Sequence, residues 1–293
     1  VSLFAARARW STIALLPLAV VCASCERTEP AATHAADSTR EVRIVSLSPG
    51  ITSTLAELGA ADLLVGRTPW CIGAPSAPTV GTLLDIDAEA LLRANPTLVF
   101  VQPPAQGIPT TLVDLAQVKG WSVVPIPLST LADCRRAVAD VAAACAPLCS
   151  SERREQIHEQ SLRLGAAFDA VTAPIADAAG QRVLAVLCGE EGTDLLAFGT
   201  ESYLMEVLQA QGFAPALERV GYQSLGQEDL RRVRPDIILL LGKRGVDAHF
   251  DALTARGTKV LRLNEPALLL PGGGITESLG RMRALLVSEV KAQ

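Results

Sequence analysis

Two glutamates occupy the same setting in distant parts of the chain. Glu89-Ala-Leu-Leu-Arg93-Ala-Asn-Pro96 runs into the apolar stretch Leu98–Val101, and Glu228-Asp-Leu-Arg-Arg232-Val-Arg-Pro235 runs into Ile237–Leu241. Glu, Leu, Arg and Pro fall at matching places in both. A carboxylate in the first turn of a helix is favoured by the helix dipole by ~0.3–1 kcal/mol, which accounts for either residue alone. Two anions in equivalent settings can also meet cationic side chains of a partner. Two aromatic residues stand in Gly- and Pro-broken segments: Trp70 in Thr68-Pro-Trp-Cys-Ile-Gly73, and Tyr222 in a loop bounded by Gly221 and Gly226. Aromatic faces on loops are candidates to hold a bulky ligand; the plain alternative is partial packing on the surface. Ser48-Pro49, Gln102 and Asn264 each follow a run that reads as a strand. Ligands of open α/β sheets bind beyond the carboxyl ends of strands, although Pro49 also serves as simple strand punctuation.

Signatures of catalysis are missing. No G-x-G-x-x-G follows the first strand, and neither a P-loop nor a G-x-S-x-G elbow occurs. Gly272-Gly-Gly274 opens a helix, where an anion could sit, but it follows Pro271 and has no Lys. The three histidines are His34, His158 and His249. His34 lies in a low-complexity stretch and His158 reads as solvated on a helix, so a His-rich metal site is discounted. Cys145 and Cys149 lie one helical turn apart without two further ligands.

These residues need elements to position them. Val42–Leu47, Leu63–Val65, Leu98–Val101 and Trp121–Val124 read as strands, alternating with helices over Ile51–Leu58, Asp87–Arg93, Thr111–Lys119 and Leu131–Ala144. Leu98–Val101 is a continuous apolar run of the kind buried on both faces, and Trp121 at a strand start reads as core. Ser151–Val171 then carries Ile157, Leu164, Phe168 and Val171 on one helical face, with Ser150 or Ser151 to cap it and Pro174 to stop it. Alternation resumes with strands Val183–Leu187, Ile237–Leu241 and Val260–Leu263 and helices Tyr203–Gln211, Gln227–Val233, Phe250–Arg256 and Ile275–Val290. Strand–helix alternation predicts mostly parallel sheets. The fold class is α/β: two Rossmann-like lobes, 41–149 and 180–293, joined by a single long helix, 150–173. The Glu–Leu–Arg–Pro repeat makes the lobes pseudo-symmetric.

Composition bounds the rest. The chain has 293 residues, of which 49% are hydrophobic and only 4% aromatic, so real cores are built from Ala, Leu and Val. A net charge of −5 without basic clusters argues against nucleic acid. Arg7 and Arg9 precede an apolar run from Ile13 to Ala23, too short to span a bilayer, so residues 1–24 read as a signal peptide. The run ends in Cys22-Ala-Ser-Cys25, and residues 25–40 form a polar, flexible tether. Beyond Cys25 five cysteines remain, Cys71, Cys134, Cys145, Cys149 and Cys188. An exported compartment permits disulfides, and an odd count leaves at least one thiol free in a monomer.

Cys22-Ala-Ser-Cys25 resembles a bacterial lipobox, whose last Cys, here Cys25, is lipidated. From Arg43-Ile-Val-Ser-Leu-Ser-Pro49 onward the chain resembles the ABC-transporter substrate-binding proteins for ferric siderophores, haem and vitamin B12. Pro78-Thr-Val-Gly81 with Glu89–Val101, Phe198-Gly-Thr-Glu-Ser-Tyr-Leu204, Glu228–Leu240 and Pro271-Gly272 continue the likeness in order, over about residues 41 to 290. Gly273 and Gly274 depart from the family's usual ending of that last motif. The resemblance implies a class III substrate-binding protein, not an enzyme. It implies a small-molecule ligand in the cleft between lobes, a connecting helix that limits closure, and an inner-membrane permease dimer met by Glu89 and Glu228. It further implies a periplasmic monomer, anchored to a membrane through lipid. Ser48, Pro49, Trp70, Gln102, Tyr222 and Asn264 are then the expected ligand contacts. Relatives that bind vitamin B12 often carry an aromatic where Leu83 stands, whereas Trp70-Cys71 matches a pair common in them. Arg67, Glu190, Glu191, Asn264 and Glu265 make a mixed, rather acidic set. That set suits a bulky, weakly charged corrinoid ahead of an anionic siderophore, with haem third. No resident cofactor is expected. The alternatives are a sensory or scaffold lipoprotein of the same fold without a transporter and, further off, a nucleotide-binding enzyme.

Overall fold

The computed structural model describes residues 41–188, 195–242 and 247–291, which belong to one compact unit, Thr39–Gln293. The signal segment, the tether, Cys25, Glu190 and Glu191 fall outside the described residues. The first lobe runs β1 (Ile44–Ser46), α1 (Pro49–Glu57), β2 (Leu64–Arg67), α2 (Ala88–Ala94), β3 (Leu98–Val101), α3 (Thr110–Lys119), β4 (Ser122–Pro125) and α4 (Leu131–Cys145). Its sheet has the order β2-β1-β3-β4, and every pair is parallel. All four side chains of β3 are buried, as the unbroken apolar run requires of a strand covered on both faces.

Helix starts follow from the residues. Ser48 is the N-cap of α1 and Pro49 its first residue, where a missing N–H costs nothing. The Asp87 carboxylate accepts the Ala90 N–H at 2.9 Å to open α2. Thr130 and Asp133 form a reciprocal capping box on α4.

A single helix, α5 (Ser151–Thr172), links the lobes. Its 22 residues span ~33 Å at ~1.5 Å per residue. Ile157, Leu164 and Phe168 form its buried stripe, and His158 is exposed. The Arg153 guanidinium near its start donates to the Gly59 carbonyl at 2.6 Å, and Gln211 near its end donates to the Val171 carbonyl at 2.8 Å. The helix is thus fixed to one lobe at each end.

The second lobe runs β5 (Arg182–Cys188), β6 (Leu195–Phe198), α6 (Tyr203–Ala210), β7 (Ala214–Pro215), β8 (Tyr222–Leu225), α7 (Gln227–Val233), β9 (Ile237–Leu241), α8 (Asp247–Thr254), β10 (Lys259–Leu263) and α9 (Thr276–Val290). The sheet order is β10-β9-β5-β6-β8, with β7 also on β5. β10, β9, β5 and β7 are mutually parallel, whereas β6 and β8 are antiparallel to their neighbours. This corrects the loop expected around Tyr222, which is the first residue of strand β8. Tyr-Gln-Ser-Leu is a short, half-exposed edge strand whose only buried side chain is Leu225, so it leaves little apolar period to detect.

The repeat takes matching shapes in the two lobes. α2 and α7 each end on a non-glycine residue in the left-handed region, Asn95 (φ 40°) and Arg234 (φ 49°), immediately before Pro96 and Pro235. A proline disfavours helical backbone in the residue before it, which sets both stops at the same place. One apolar core also crosses the boundary between lobes. It includes Ile51, Leu55 and Val138 of the first, Ile157 and Phe168 of α5, and Leu204, Leu208 and Leu239 of the second.

Candidate functional site

Because the strands of the first sheet are parallel, the segments leaving their carboxyl ends share one edge. β1 leads to Ser48 and Pro49, β2 to Trp70, and β3 to Gln102. Ser48 is buried, and its hydroxyl donates to Gln102 Oε1 at 3.2 Å. That bond fixes the Gln102 amide with its NH2 group left as a donor. Pro49 is half-buried, and Trp70 is 65% exposed.

A chain of small polar groups lies beneath this edge. Ser46 Oγ donates to the Ser48 carbonyl at 3.0 Å, and Thr52 Oγ1 lies 2.8 Å from Ser46 Oγ. Cys71 Sγ lies within hydrogen-bond reach of both Thr52 Oγ1, at 2.9 Å, and Thr68 Oγ1, at 3.1 Å. Ser46, Thr52, Thr68 and Cys71 are all buried. Sequence reasoning singled out none of the three hydroxyls. Their partners lie up to 19 positions apart, and the only local signal was Cys71 beside Trp70.

In the second lobe Asn264 is exposed just past β10, level with the ends of β9 and β5. Tyr222 is placed differently. It pairs with Phe198 of β6, their rings meeting edge-on at 5.3 Å and 67°. Ala197 pairs with Val186, so Tyr222 is level with Ala185, short of the carboxyl end where Asn264 lies. It is 54% exposed and borders the first lobe, where burial and the nearby Cys134 of α4 push its phenol up. Tyr203 is buried with no hydrogen-bond partner for its hydroxyl, and burial raises its phenol as well.

The seam between lobes is close and polar in places. The Leu131 N–H at the start of α4 donates to Glu206 Oε2 of α6 at 2.5 Å. Gly273 N–H donates to Thr54 Oγ1 of α1 at 3.0 Å. The Gly50 and Pro271 backbones approach so closely that a Cβ on Gly50 would lie 1.8 Å from the Pro271 carbonyl oxygen. Burial pushes the Cys134 and Cys145 thiols up to about 12. Cys71, Cys134, Cys145 and Cys149 are all free thiols.

Glu89 and Glu228 stand apart from these contacts. Their side chains are 84% and 78% exposed, each paired with the Arg one turn on, Arg93 at 3.1 Å and Arg232 at 2.5 Å. Trp121 is buried, in agreement with its reading as core. Among the described residues no group of three or more His, Cys, Asp or Glu could hold a metal ion, and no helix is long and apolar enough to cross a membrane.

The fold is shared with solved structures. The haem-binding protein HutB of Vibrio cholerae superposes with a TM-score of 0.67 at 20% identity, covering 84% of this chain and 99% of its own. The haem-binding protein RhuT of Roseiflexus sp. RS-1, in apo form, gives 0.65 at 20% identity and covers 85% and 99%. The vitamin B12-binding protein BtuF of Vibrio cholerae gives 0.63 at 17% identity and covers 86% and 98%. No curated protein matches the chain. Over residues 44–262, from β1 into β10, the sequence fits the family described as Periplasmic binding protein, and the chain belongs to that family of binding proteins rather than to any family of enzymes.

Proposed function

We propose that this protein is the ligand-capturing component of an ABC importer, taking a bulky metal chelate between its lobes and handing it to a permease dimer. The observation that carries this reading is the array at the carboxyl edge of the first sheet. There Ser48 orients Gln102 beside Pro49 and the exposed indole of Trp70, on a lobe joined by a shared core to a second lobe bearing Asn264 and Tyr222. Haem- and vitamin B12-binding proteins of the same fold support a large tetrapyrrole-like ligand.

A corrinoid is preferred over a ferric siderophore, and haem comes third. Arg67, the last residue of β2, and Glu265, just past β10, are opposite in sign, which favours a weakly charged ligand over a catecholate. Haem iron would need a protein ligand. Tyr222 would have to lose its proton to serve as a tyrosinate, and its burial beside Cys134 opposes that. Glu89 and Glu228 are assigned to the permease, and Cys25 to a lipid anchor holding a monomer at the periplasmic face of a membrane.

The test is the absorption spectrum and mass of the purified protein after incubation with cobalamin, ferric siderophores and haem in parallel. Retention of cobalamin is the expected result, with Trp70→Ala weakening it by ~1–3 kcal/mol in calorimetry, as for a contact aromatic. Selective retention of haem or siderophore would overturn the ligand assignment. Retention of none would overturn the importer reading.

A further inference from the structure

Trp70 is mostly exposed, so little side-chain packing directs its ring. Its direction is therefore inherited from the backbone that carries it. Residues Thr68–Cys71 form a tight turn with Pro69 and Trp70 at its tip, closed by the Cys71 N–H donating to the Thr68 carbonyl at 3.2 Å. A proline at the first corner fixes one backbone dihedral of the turn. The same two end residues are joined a second time through their side chains, Thr68 Oγ1 to Cys71 Sγ at 3.1 Å. Cys71 Sγ is in turn 2.9 Å from Thr52 Oγ1 on α1. Thr52 is tied to Ser46 Oγ at 2.8 Å and to the Ser48 carbonyl at 3.0 Å. Ser48 holds Gln102. One buried thiol thus joins the turn bearing Trp70 to the strand ends bearing Ser48, Pro49 and Gln102.

We infer that Cys71 is a positioning residue that sets the orientation of Trp70 relative to the Ser48–Gln102 edge; the consequence for affinity rests on the reading above that Trp70 contacts ligand. The thiol is suited to the place. It is buried against two hydroxyls, and a group with one donor and an acceptor lone pair can bond to both at once. Removing it leaves the Thr52 and Thr68 hydroxyls facing a gap and frees the turn to move as a unit. The backbone bond of the turn survives, so the lobe stays folded while the indole loses its fixed direction.

The experiment compares Cys71→Ala, Cys71→Ser and Thr52→Val in the full chain, with Trp70→Phe to isolate the Trp70 signal. Time-resolved fluorescence anisotropy reads the motion of the indole, and titration with cobalamin reads its consequence. The expected result is a larger fast-motion amplitude for Trp70 in Cys71→Ala and Thr52→Val, with cobalamin binding about fivefold weaker, the scale of one lost hydrogen bond. Cys71→Ser, which keeps a donor and acceptor, restores both. Unchanged Trp70 motion in Cys71→Ala and Thr52→Val overturns the inference, as does a Cys71→Ser variant that behaves like Cys71→Ala. Freer Trp70 motion with unaltered cobalamin affinity supports the positioning role and instead refutes Trp70 as a ligand contact.

Discussion

Gly50→Ala is expected to be among the most damaging single-methyl additions in the protein. Gly50 lies in the first turn of α1, and its added Cβ would stand 1.8 Å from the Pro271 carbonyl oxygen and 2.9 Å from the carbonyl carbon. Both obstacles are backbone, so no rotamer change relieves the clash. Restoring a tolerable ~3 Å separation requires the Pro271 segment to retreat by about 1.2 Å, a small-to-large change in a packed interior of the kind that costs ~1–3 kcal/mol. That retreat also breaks or stretches the buried Gly273 N–H to Thr54 Oγ1 bond, now 3.0 Å, adding ~1–3 kcal/mol for a buried unpaired group. The sum is about 4 kcal/mol at mid-range, or a fall in Tm of roughly 8–16 °C at ~2–4 °C per kcal/mol. Gly59→Ala is the internal control. Gly59 has φ 71° and nothing within 4 Å of its added Cβ, so only the left-handed backbone penalty of ~1–2 kcal/mol applies. Scanning calorimetry of both variants tests the argument. A Gly50→Ala variant at least as stable as Gly59→Ala would show that the close approach of α1 to Pro271 is not a constraint in solution.

Charge reversal of Glu89 and Glu228 to Lys together is expected to abolish transport while leaving ligand affinity in calorimetry intact, because both carboxylates are exposed and apart from the strand-end array; loss of affinity would move them into the binding site, and normal transport would favour a scaffold role. Cys134 and Cys145, with thiols near 12, should resist a thiol-specific disulfide reagent at neutral pH in the native protein and react only in denaturant; rapid labelling of either refutes its burial. The hydrogen-bonded Arg281 guanidinium holds the Glu265 carboxyl below its ordinary 4.5, and Arg135 likewise lowers Asp169. Depressed carboxylates contribute stability above their unfolded pKa and lose it as pH falls through the folded value. Urea melts across the acid range below 4.5 should therefore show a shallower loss of stability in Glu265→Gln than in the parent; the effect is small because the Arg281 side of the pair is open to solvent, and an identical slope refutes it.

The parts of the fold that were legible in the sequence were those whose signal is local. Leu98–Val101 and Ile237–Leu241 are continuous apolar runs, and both are strands with those bounds. The buried stripe Ile157, Leu164 and Phe168 announced α5, and Pro96 and Pro235 announced where α2 and α7 stop. β6 and β8 escaped because an antiparallel edge ribbon of four-residue strands has neither a long run nor a clear period, and with them went the placement of Tyr222. In the site, strand-end positions pointed to Ser48, Gln102 and Asn264. The bond between Ser48 and Gln102, and those across the seam between the lobes, join residues remote in sequence. Ser48 meets Gln102 across 54 positions and Leu131 meets Glu206 across 75, and no spacing rule reaches that far.

The same long-range contacts bear on how such a site selects its ligand. If the lobes closed freely, selectivity could come from a second wall arriving after the first had bound. Here the apolar core passes through α4, α5 and α6 without interruption, and each large side chain withdrawn from it costs roughly 1.5–3 kcal/mol. The Glu206 carboxylate on the start of α4 and the Gly50–Pro271 approach add polar and steric stops on the seam. Parting the lobes widely would expose several such groups together, a cost comparable to the whole stability of a domain, ~5–15 kcal/mol. Ligand binding cannot supply that and still leave a ligand that can be released to a partner. On the proposed reading, discrimination then rests on walls set before the ligand arrives, with the direction of Trp70 and the orientation of the Gln102 amide as the features to test. On that reading the hydroxyls and thiol beneath the site act on affinity through the groups they hold, about fivefold for Cys71 against ~1–3 kcal/mol for the Trp70 ring itself.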